Sequence, residues 1–243
     1  QQAGRAGAPA ARGQPLRARG RRLVLCGRRA VLTLAVLHLD DHLVAIDKPP
    51  GLLVHRTQLA AQENEAALQL LRDQLGRPVW PVHRLDRGTS GVLLFALSPE
   101  VASVLGAMFE QGQMRKRYLA LVRGWPDADE GLIDHPLARD PEKPSAGQPL
   151  LPAQTRWRVL RRDAWPIATD PRFATTRVAL VEAEPLQGRR HQIRRHLKHI
   201  AHPILGDATH GKGPLNRAVA AHLGITRLWL HAQRLELAHP ACG

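Results

Sequence analysis

The sequence HRLDRGTSG at residues 83–91 runs directly into the apolar segment VLLFAL at residues 92–97. This stretch sets a single carboxylate, Asp86, among basic side chains at the point where a loop is predicted to enter a buried strand. Burial disfavours an ionised acid, whereas Arg84 or Arg87 at close range favours it, and we expect the arginines to keep Asp86 charged at neutral pH. Such a carboxylate is typical of functional sites and also of structural ion pairs, and both interpretations stay open for this stretch alone.

Short strands and helices alternate along the chain. Gly76 is a typical helix end, and Ser98-Pro99-Glu100 is a typical helix start. We predict a β-hairpin over residues 36–46, helices over 65–75, 98–111 and part of 188–200, and strands over 92–97, 114–124, 154–161, 176–184 and 228–237. The Pro- and Gly-rich segment 125–152 is predicted to connect two subdomains.

Charge is distributed unevenly along the 243 residues. The formal net charge is +14, but residues 1–38 hold eight arginines and no acidic residue. The remaining 27 basic and 21 acidic side chains leave a balance of +6, which favours a polyanionic partner. We expect residues 1–34 to form a disordered Arg-rich extension and residues 35–243 to form the folded domain. A transit peptide is the alternative for the extension, but its first 29 residues lack the serines of such peptides.

Composition argues against several classes of protein. Two cysteines near opposite ends of the chain fit neither a disulfide framework nor a thiolate metal site. No apolar run approaches the ~18 residues that span a bilayer, so we expect no membrane association and a cytoplasmic protein. A group of five histidines raises the alternative of a metal site: His191, His196, His199, His202 and His210. Because His191 and His196 point to different sides of a helix, and because no carboxylate precedes Asp207 in this segment, we expect no bound metal.

Residues 189–200 combine an apolar stripe and a cationic face on one predicted helix. The stripe consists of Ile193, Leu197 and Ile200, and the cationic face consists of Arg190, Arg194 and Lys198. A solvated charged face is the ordinary explanation for such a pattern. The segment contains no acid, however, so we expect an anionic partner to offset its self-repulsion.

Tyr118 is the single tyrosine of the chain and lies in the predicted strand over residues 114–124. With three phenylalanines and five tryptophans besides, the chain lacks the aromatic platforms that stack several RNA bases, but recognition of one base stays possible. A lone tyrosine in a strand is either a core or interface residue or a catalytic one.

Four segments, in this order along the chain, resemble the RluA family of pseudouridine synthases, enzymes that isomerise uridine to pseudouridine in RNA. HRLD with TSG, at residues 83–91, resembles the catalytic motif of that family. The other matches are KPPG with VH at 48–55, KRY with VRG at 116–124, and GRRHQIR with HPILGD at 188–207. Ordered matches over about 160 residues are far more specific than one short motif. Further likeness to a tRNA-modifying branch of the family lies at residues 154–155, 175–177, 194–196, 210–211 and 216–232.

The resemblance implies an α+β fold in which a mixed, mainly antiparallel central sheet is flanked by helices and carries a catalytic cleft across its middle. It also implies that Asp86 is the catalytic residue, which attacks or deprotonates the ribose so that the N1–C1′ bond breaks and C5 joins C1′. Tyr118 would contact the detached uracil and help to remove the C5 proton, Arg194 would pair with Asp86, and Arg84 would occupy the space left by the flipped nucleotide. Further RNA contacts are expected from Arg87, Lys48, His55, Lys116, Arg189, Arg190, His191 and Lys198. This isomerisation requires no cofactor and no metal.

The substrate implied by the resemblance is tRNA, at a uridine of the T stem, bound by a monomer. The N-terminal segment does not resemble an S4 RNA-binding domain, which favours tRNA over ribosomal RNA. The alternatives are a 23S ribosomal RNA synthase of the same family and a non-catalytic RNA-binding protein on the same scaffold. Because family members continue past the position of Gly243 with a turn and a helix, we expect the domain to be truncated at its C-terminus.

Overall fold

The structure, a computed structural model, describes residues 25–26, 29–30, 33–55, 66–169 and 172–242. The described residues from Leu34 onward form one compact unit. In the N-terminal unit, strands β1 (Leu25–Cys26) and β2 (Arg29–Ala30) pair antiparallel. The rest of the predicted extension, apart from residues 33 and 34, lies outside the described residues, so its disorder stays a prediction.

One sheet of nine strands organises the described residues after Leu34. In spatial order, eight of its strands are β3 (Ala35–Leu39), β4 (Leu43–Lys48), β6 (Ser90–Ala96), β13 (Leu230–Glu236), β7 (Arg115–Arg123), β12 (Thr176–Pro185), β11 (Gln154–Trp165) and β8 (Glu130–Asp134). The ninth strand, β5 (Trp80–Pro81), pairs with β6. Of the pairings in this sheet, only β6 with β13 is parallel. The predicted mixed, mainly antiparallel sheet is therefore confirmed.

Helices cover both faces of the sheet. They are α1 (Ala67–Leu75), α2 (Pro99–Glu110), α3 (Gln192–His199) and α4 (Gly213–Leu223). Successive residues of a strand face opposite sides: Ala120 and Val122 of β7 pack in one cluster with α3, whereas Leu121 packs in another with α4. In a third cluster, Leu105 of α2 packs against Leu43 and Leu94 of the sheet. No helix in the described ranges is both long and apolar enough to cross a bilayer.

The elements that were predicted correctly have sequence signals at their ends. The Ser98 side chain accepts a hydrogen bond from the Val101 N–H at 3.3 Å, and Pro99 follows it in the first turn of α2. Gly76 ends α1 in the left-handed conformation, with φ 65°. The predicted hairpin is present as β3 and β4.

The segment over residues 125–152 contradicts its prediction as a connection between subdomains. It contributes β8, which pairs with β11 at the edge of the central sheet, and β9 (Leu137–Ala138), which pairs with β10 (Leu150–Leu151). Leu34 to the C-terminus is one unit rather than two. The segment therefore extends this unit.

The parallel pairing of β6 with β13 depends on Gly91. This glycine has φ +110°, and a Cβ atom on it would lie 2.1 Å from the carbonyl oxygen of Ala232. Ala232 is paired with Gly91 on one side and with Tyr118 on the other. The loop before β6 and the tyrosine of β7 are thereby set on the two sides of β13.

Candidate active site

A cleft of about 550 Å³ lies at this point of the sheet. Residues 82–86 from the loop before β6, two residues of β7, and most of the stretch over 185–194 that leads into α3 contribute to its lining. Asp86, Tyr118 and Arg194, which are far apart in the sequence, line it together. The three predicted catalytic residues therefore face one cavity.

Asp86 is held in the loop before β6. Its carbonyl oxygen accepts a hydrogen bond from the Thr89 N–H at 3.0 Å, which closes a turn. Its Oδ2 accepts from Arg194 Nη1 at 3.0 Å and lies 3.8 Å from His191 Nε2. The side chain keeps 24% of its surface exposed, so it is partly desolvated and still open to a ligand.

Arg194 is buried, and Asp207 fixes its orientation. Its Nε and Nη2 donate to the two carboxylate oxygens of Asp207 at 2.7 and 2.9 Å, which leaves Nη1 for Asp86. Burial would lower the pKa of Arg194, but the hydrogen bonds and charges of Asp207 and Asp86 outweigh burial and raise it. Burial likewise favours a neutral Asp207, but Arg194 and the backbone N–H groups of His210 and Thr209 keep the pKa of Asp207 below its usual range. Arg194 therefore presents a permanent charge to Asp86.

Tyr118 is partly buried in β7, between Ala232 of β13 and Ala183 of β12. Desolvation of its ring, with a contribution from the charge of Asp86, raises the pKa of the phenol above its ordinary value. Tyr118 is therefore a neutral hydrogen-bonding group at physiological pH.

Lys48 was predicted to contact RNA, and the structure contradicts this. Its side chain is fully buried, and Nζ donates to the carbonyl oxygens of Pro49, Leu52 and Arg87 at 2.9, 2.8 and 3.2 Å. Burial, as the dominant effect, lowers the pKa of Lys48 to about 8. Lys48 ties the loop after β4 to the loop that carries Asp86, out of reach of a ligand.

The cationic face predicted for Arg190, Arg194 and Lys198 is wrong for Arg194. Arg194 is buried, and only Lys198 of the three basic residues is exposed on α3 itself. Arg190 precedes the helix and forms ion pairs with Asp140, at 3.5 Å, and with Glu142. These acids lie in the segment between β9 and β10. Its contact with residue 190 could not be predicted from the spacing of residues in the sequence.

The remaining predicted RNA-binding residues divide into two groups. Arg84, Lys116, Arg189 and His191 line the cleft. Arg87 and His55 do not line it, and Arg87 Nε donates to the carbonyl oxygen of Gly51 at 3.0 Å. Arg84 and Arg189 are exposed at the cleft, where a phosphate backbone can reach them.

Two residues that contribute to the site were given no role by the sequence analysis. Asp207 and His210 lie on a short loop after α3, and His210 Nε2 is 3.1 Å from His191 Nδ1. The signal that could have identified Asp207 is a single acid in a basic segment, and the structure shows that this acid is buried. Among the described residues, no cluster of three or more metal-ligating side chains has the geometry to hold an ion.

Comparison with known sequences identifies several relatives. The sequence profile described as "RNA pseudouridylate synthase" matches residues 42–199. The protein named tRNA pseudouridine synthase C from Vibrio cholerae is 46% identical over 212 residues, which cover 85% of this chain and 86% of the relative. The protein of the same name from Pasteurella multocida is 46% identical over 220 residues, with 86% and 87% covered.

Solved structures agree with the sequence comparison. The fold is similar to human RNA pseudouridylate synthase domain containing 1, with a TM-score of 0.68 and 25% identity over 88% of this chain and 82% of that one. Human RNA pseudouridylate synthase domain containing 4 gives a TM-score of 0.63 and 29% identity over 85% and 84%.

Proposed function

The chain belongs to the RNA pseudouridylate synthase family and is an isomerase; from this premise we propose that its substrate is a uridine of tRNA, with Asp86 as the catalytic carboxylate. The contact between Asp86 and Arg194 carries the proposal, because it joins a reactive acid and a buried charge inside a cavity large enough for a nucleotide. The tRNA substrate is supported by the names of relatives that are 46% identical over most of this chain. The T-stem uridine is the position that we propose.

The carboxylate of Asp86 begins the reaction at the ribose. Arg194 holds Oδ2, and in the described part of the chain Oδ1 has no hydrogen-bond donor, which leaves that oxygen for the sugar. By addition at C1′ or by removal of a ribose proton, Asp86 promotes cleavage of the N1–C1′ bond. The uracil then turns, and C5 bonds to C1′ as the bond between Asp86 and C1′ breaks, or as Asp86 returns the proton that it took from the ribose. C5 gives its proton to solvent and N1 takes one from solvent, so that Asp86 is again a free carboxylate. The product is an isomer of the substrate, so no other reactant is consumed.

Arg194 and Tyr118 act on different partners in this scheme. Arg194 holds the Asp86 carboxylate in place for the ribose, because Asp207 prevents the guanidinium from turning away. Tyr118 carries its proton at neutral pH, so we assign it to holding the detached uracil by contact and hydrogen bonding.

The surface of the cleft provides for RNA binding and base extrusion. Arg84 and Arg189 are exposed at the cleft, and Lys116 lines its wall. Flipping a nucleotide costs a few kcal/mol of lost stacking and pairing. Phosphate contacts of these side chains offset that cost, and Arg84 fills the space that the uridine leaves. We propose that the protein acts in the cytoplasm as a monomer, since one chain supplies the whole cleft.

The variant Asp86→Asn tests the proposed function. It keeps the shape of the side chain but removes the negative charge, so we expect tRNA binding to persist and pseudouridine formation to stop. Asp129→Asn, which alters an 82% exposed carboxylate, is the matched control. Carbodiimide modification followed by primer extension on tRNA and on 23S ribosomal RNA reads out the product. Equal activity of Asp86→Asn would reject its role, and product in ribosomal RNA alone would reject the tRNA substrate.

A further inference from the structure

We propose that His191 is a positioning residue for Asp86 and that His210 selects the tautomer in which His191 does this. The proposal rests on the proposed function, because it takes Asp86 as the catalytic carboxylate. It assigns to these two histidines the orientation of the Asp86 carboxylate, a role that differs from those of Arg194 and Tyr118.

The backbone of His191 is in a conformation that its role as a helix start does not explain. His191 has φ 55° and ψ 27°, in the left-handed region that residues other than glycine rarely adopt. It directly precedes α3, yet its side chain makes no capping hydrogen bond to the helix. The side chain is instead 12% exposed and directs Nε2 to within 3.8 Å of Asp86 Oδ2. Strained residues that persist in a fold cluster at functional sites.

The other nitrogen of the ring determines which proton His191 carries. His191 Nδ1 lies 3.1 Å from Nε2 of His210, so one of these two nitrogens donates to the other. A carboxylate near Nε2 of His191 favours an N–H at that atom. Nδ1 of His191 must then accept, and His210 must donate through its own Nε2. His210 thereby holds a neutral His191 with an N–H directed to Asp86.

Burial, together with the positive charges around the pair, keeps both rings neutral at physiological pH. Asp86 and Asp207 favour a charged His191, but burial, Arg194 and Arg190 outweigh them and lower its pKa. For His210, burial is the dominant cause, and Arg194, His191 and Lys198 add to it against Asp207, which lowers the pKa to about 4.

Asp207 supports this pair as well as Arg194. Its Oδ1 accepts from the backbone N–H of His210 at 2.8 Å and from Arg194 Nη2 at 2.9 Å. One buried carboxylate therefore fixes two supports of Asp86, one charged and one neutral. Arg194 forms an ion pair with Asp86 Oδ2, and His191, close to the same oxygen, limits the rotation of the carboxylate.

The test compares His210→Ala with His210→Gln, because the glutamine Nε2 can replace the histidine Nε2 as a donor. Misplacement of a catalytic group by about 1 Å costs up to about a hundredfold in rate, so we expect His210→Ala to lower kcat at least about tenfold with little change in KM. His210→Gln should recover most of that loss. His222→Ala, at an exposed position on α4, is the control.

Three further measurements separate positioning from simple loss of structure. Removal of His210 exposes His191, so the acid limb of the kcat profile should move to higher pH in His210→Ala. The double variant His191→Ala/His210→Ala should be no slower than His191→Ala. NMR of isotopically labelled histidine in the unaltered protein should show the Nε2–H tautomer of His191.

The inference is overturned if His191 carries its proton on Nδ1, if His210→Gln is as slow as His210→Ala, or if His210→Ala leaves kcat and its pH profile unchanged. An inactive Asp86→Asn together with an unaffected His210→Ala would reject this inference alone. An active Asp86→Asn would reject the proposed function.

Discussion

Replacement of Asp207 by asparagine tests the buried centre of the site. Asp207 has no exposed side-chain surface and accepts four hydrogen bonds, two from Arg194 and two from the backbone N–H groups of Thr209 and His210, all between 2.7 and 2.9 Å. Asparagine keeps the shape but has one acceptor oxygen in place of two. In either orientation its amide group must face the guanidinium, because Oδ2 accepts from Arg194 Nε and Oδ1 accepts from Arg194 Nη2 and both backbone N–H groups.

The expected loss of stability is large for a substitution that removes no carbon atoms. A hydrogen bond to a charged group is worth about 1.5–3 kcal/mol, and loss of one partner from a buried ion pair costs about 3–5 kcal/mol. We expect Asp207→Asn to lower the free energy of unfolding by about 3–5 kcal/mol at neutral pH. This is a large share of the 5–15 kcal/mol that is typical of a folded domain.

The pH dependence follows from the lowered pKa of Asp207. A carboxyl group whose pKa is lower in the folded state stabilises the fold fully above its unfolded pKa of about 3.9. This contribution is lost as the pH falls through the folded value. The difference between the unaltered protein and Asp207→Asn should therefore be greatest near neutral pH and shrink below about pH 4.

Urea unfolding followed by tryptophan fluorescence measures both effects. Asp129→Asn again serves as the control, because its exposed ion pair with Arg162 should change stability by no more than about 0.5 kcal/mol. Asp207→Asn should also slow pseudouridine formation, since Arg194 loses the partner that aims it at Asp86. A loss of stability below about 1 kcal/mol, or a difference that does not vary with pH, would refute the reasoning.

Three other predictions address the surface and the loops. Arg190→Glu with Lys198→Glu should weaken RNA binding and flatten its salt dependence, and an unaltered slope in a filter-binding titration would remove these side chains from the interface. Asp140→Asn with Glu142→Gln releases Arg190 from its ion pairs. The same titration should then show RNA binding that is about two- to fivefold tighter and depends more steeply on salt concentration. Equal affinity would mean that Arg190 does not contact phosphate. Lys48→Met removes a donor from three carbonyl oxygens, of which, among the described residues, only that of Arg87 keeps another, the Gly51 N–H. It should cost about 1–3 kcal/mol of stability in urea unfolding, whereas an unchanged midpoint would contradict the buried role.

Sequence signals predicted the fold wherever they were local. Ser98 and Gly76 mark helix ends through contacts within a few residues, so α2 and α1 were recognisable. The strand β8 was not, because its residues are mostly exposed and their pairing depends on the distant β11. Helix α4 has no capping side chain, although Leu215 and Val219 show the spacing of one buried face. The mixed, mainly antiparallel architecture of the sheet was implied by the family resemblance and not by periodicity, and the order of its strands was not predicted.

The residues of the candidate site likewise divide into those with a local signal in the sequence and those whose role depends on distant residues. Asp86 stands out because charge meets an apolar run, and its pairing with Arg194 was implied by resemblance and is present at 3.0 Å. Lys48 was expected to contact RNA because of the family resemblance, whereas one of the carbonyl oxygens that its Nζ contacts belongs to a residue 39 positions away in the sequence. No role was predicted for Asp207, because its role depends on its pairing with Arg194, which is brought into the interior only by folding.

The parallel junction between β6 and β13 has a consequence for assembly of the protein. The strand that completes the middle of the sheet consists of residues 230–236, while its two neighbours lie more than a hundred residues earlier in the sequence. Contacts between such distant parts of a chain form slowly. During synthesis the two walls of the proposed catalytic cavity therefore stay apart until residues 230–236 have left the ribosome, and a chain that stops before them carries Asp86 and Tyr118 without the geometry to use them.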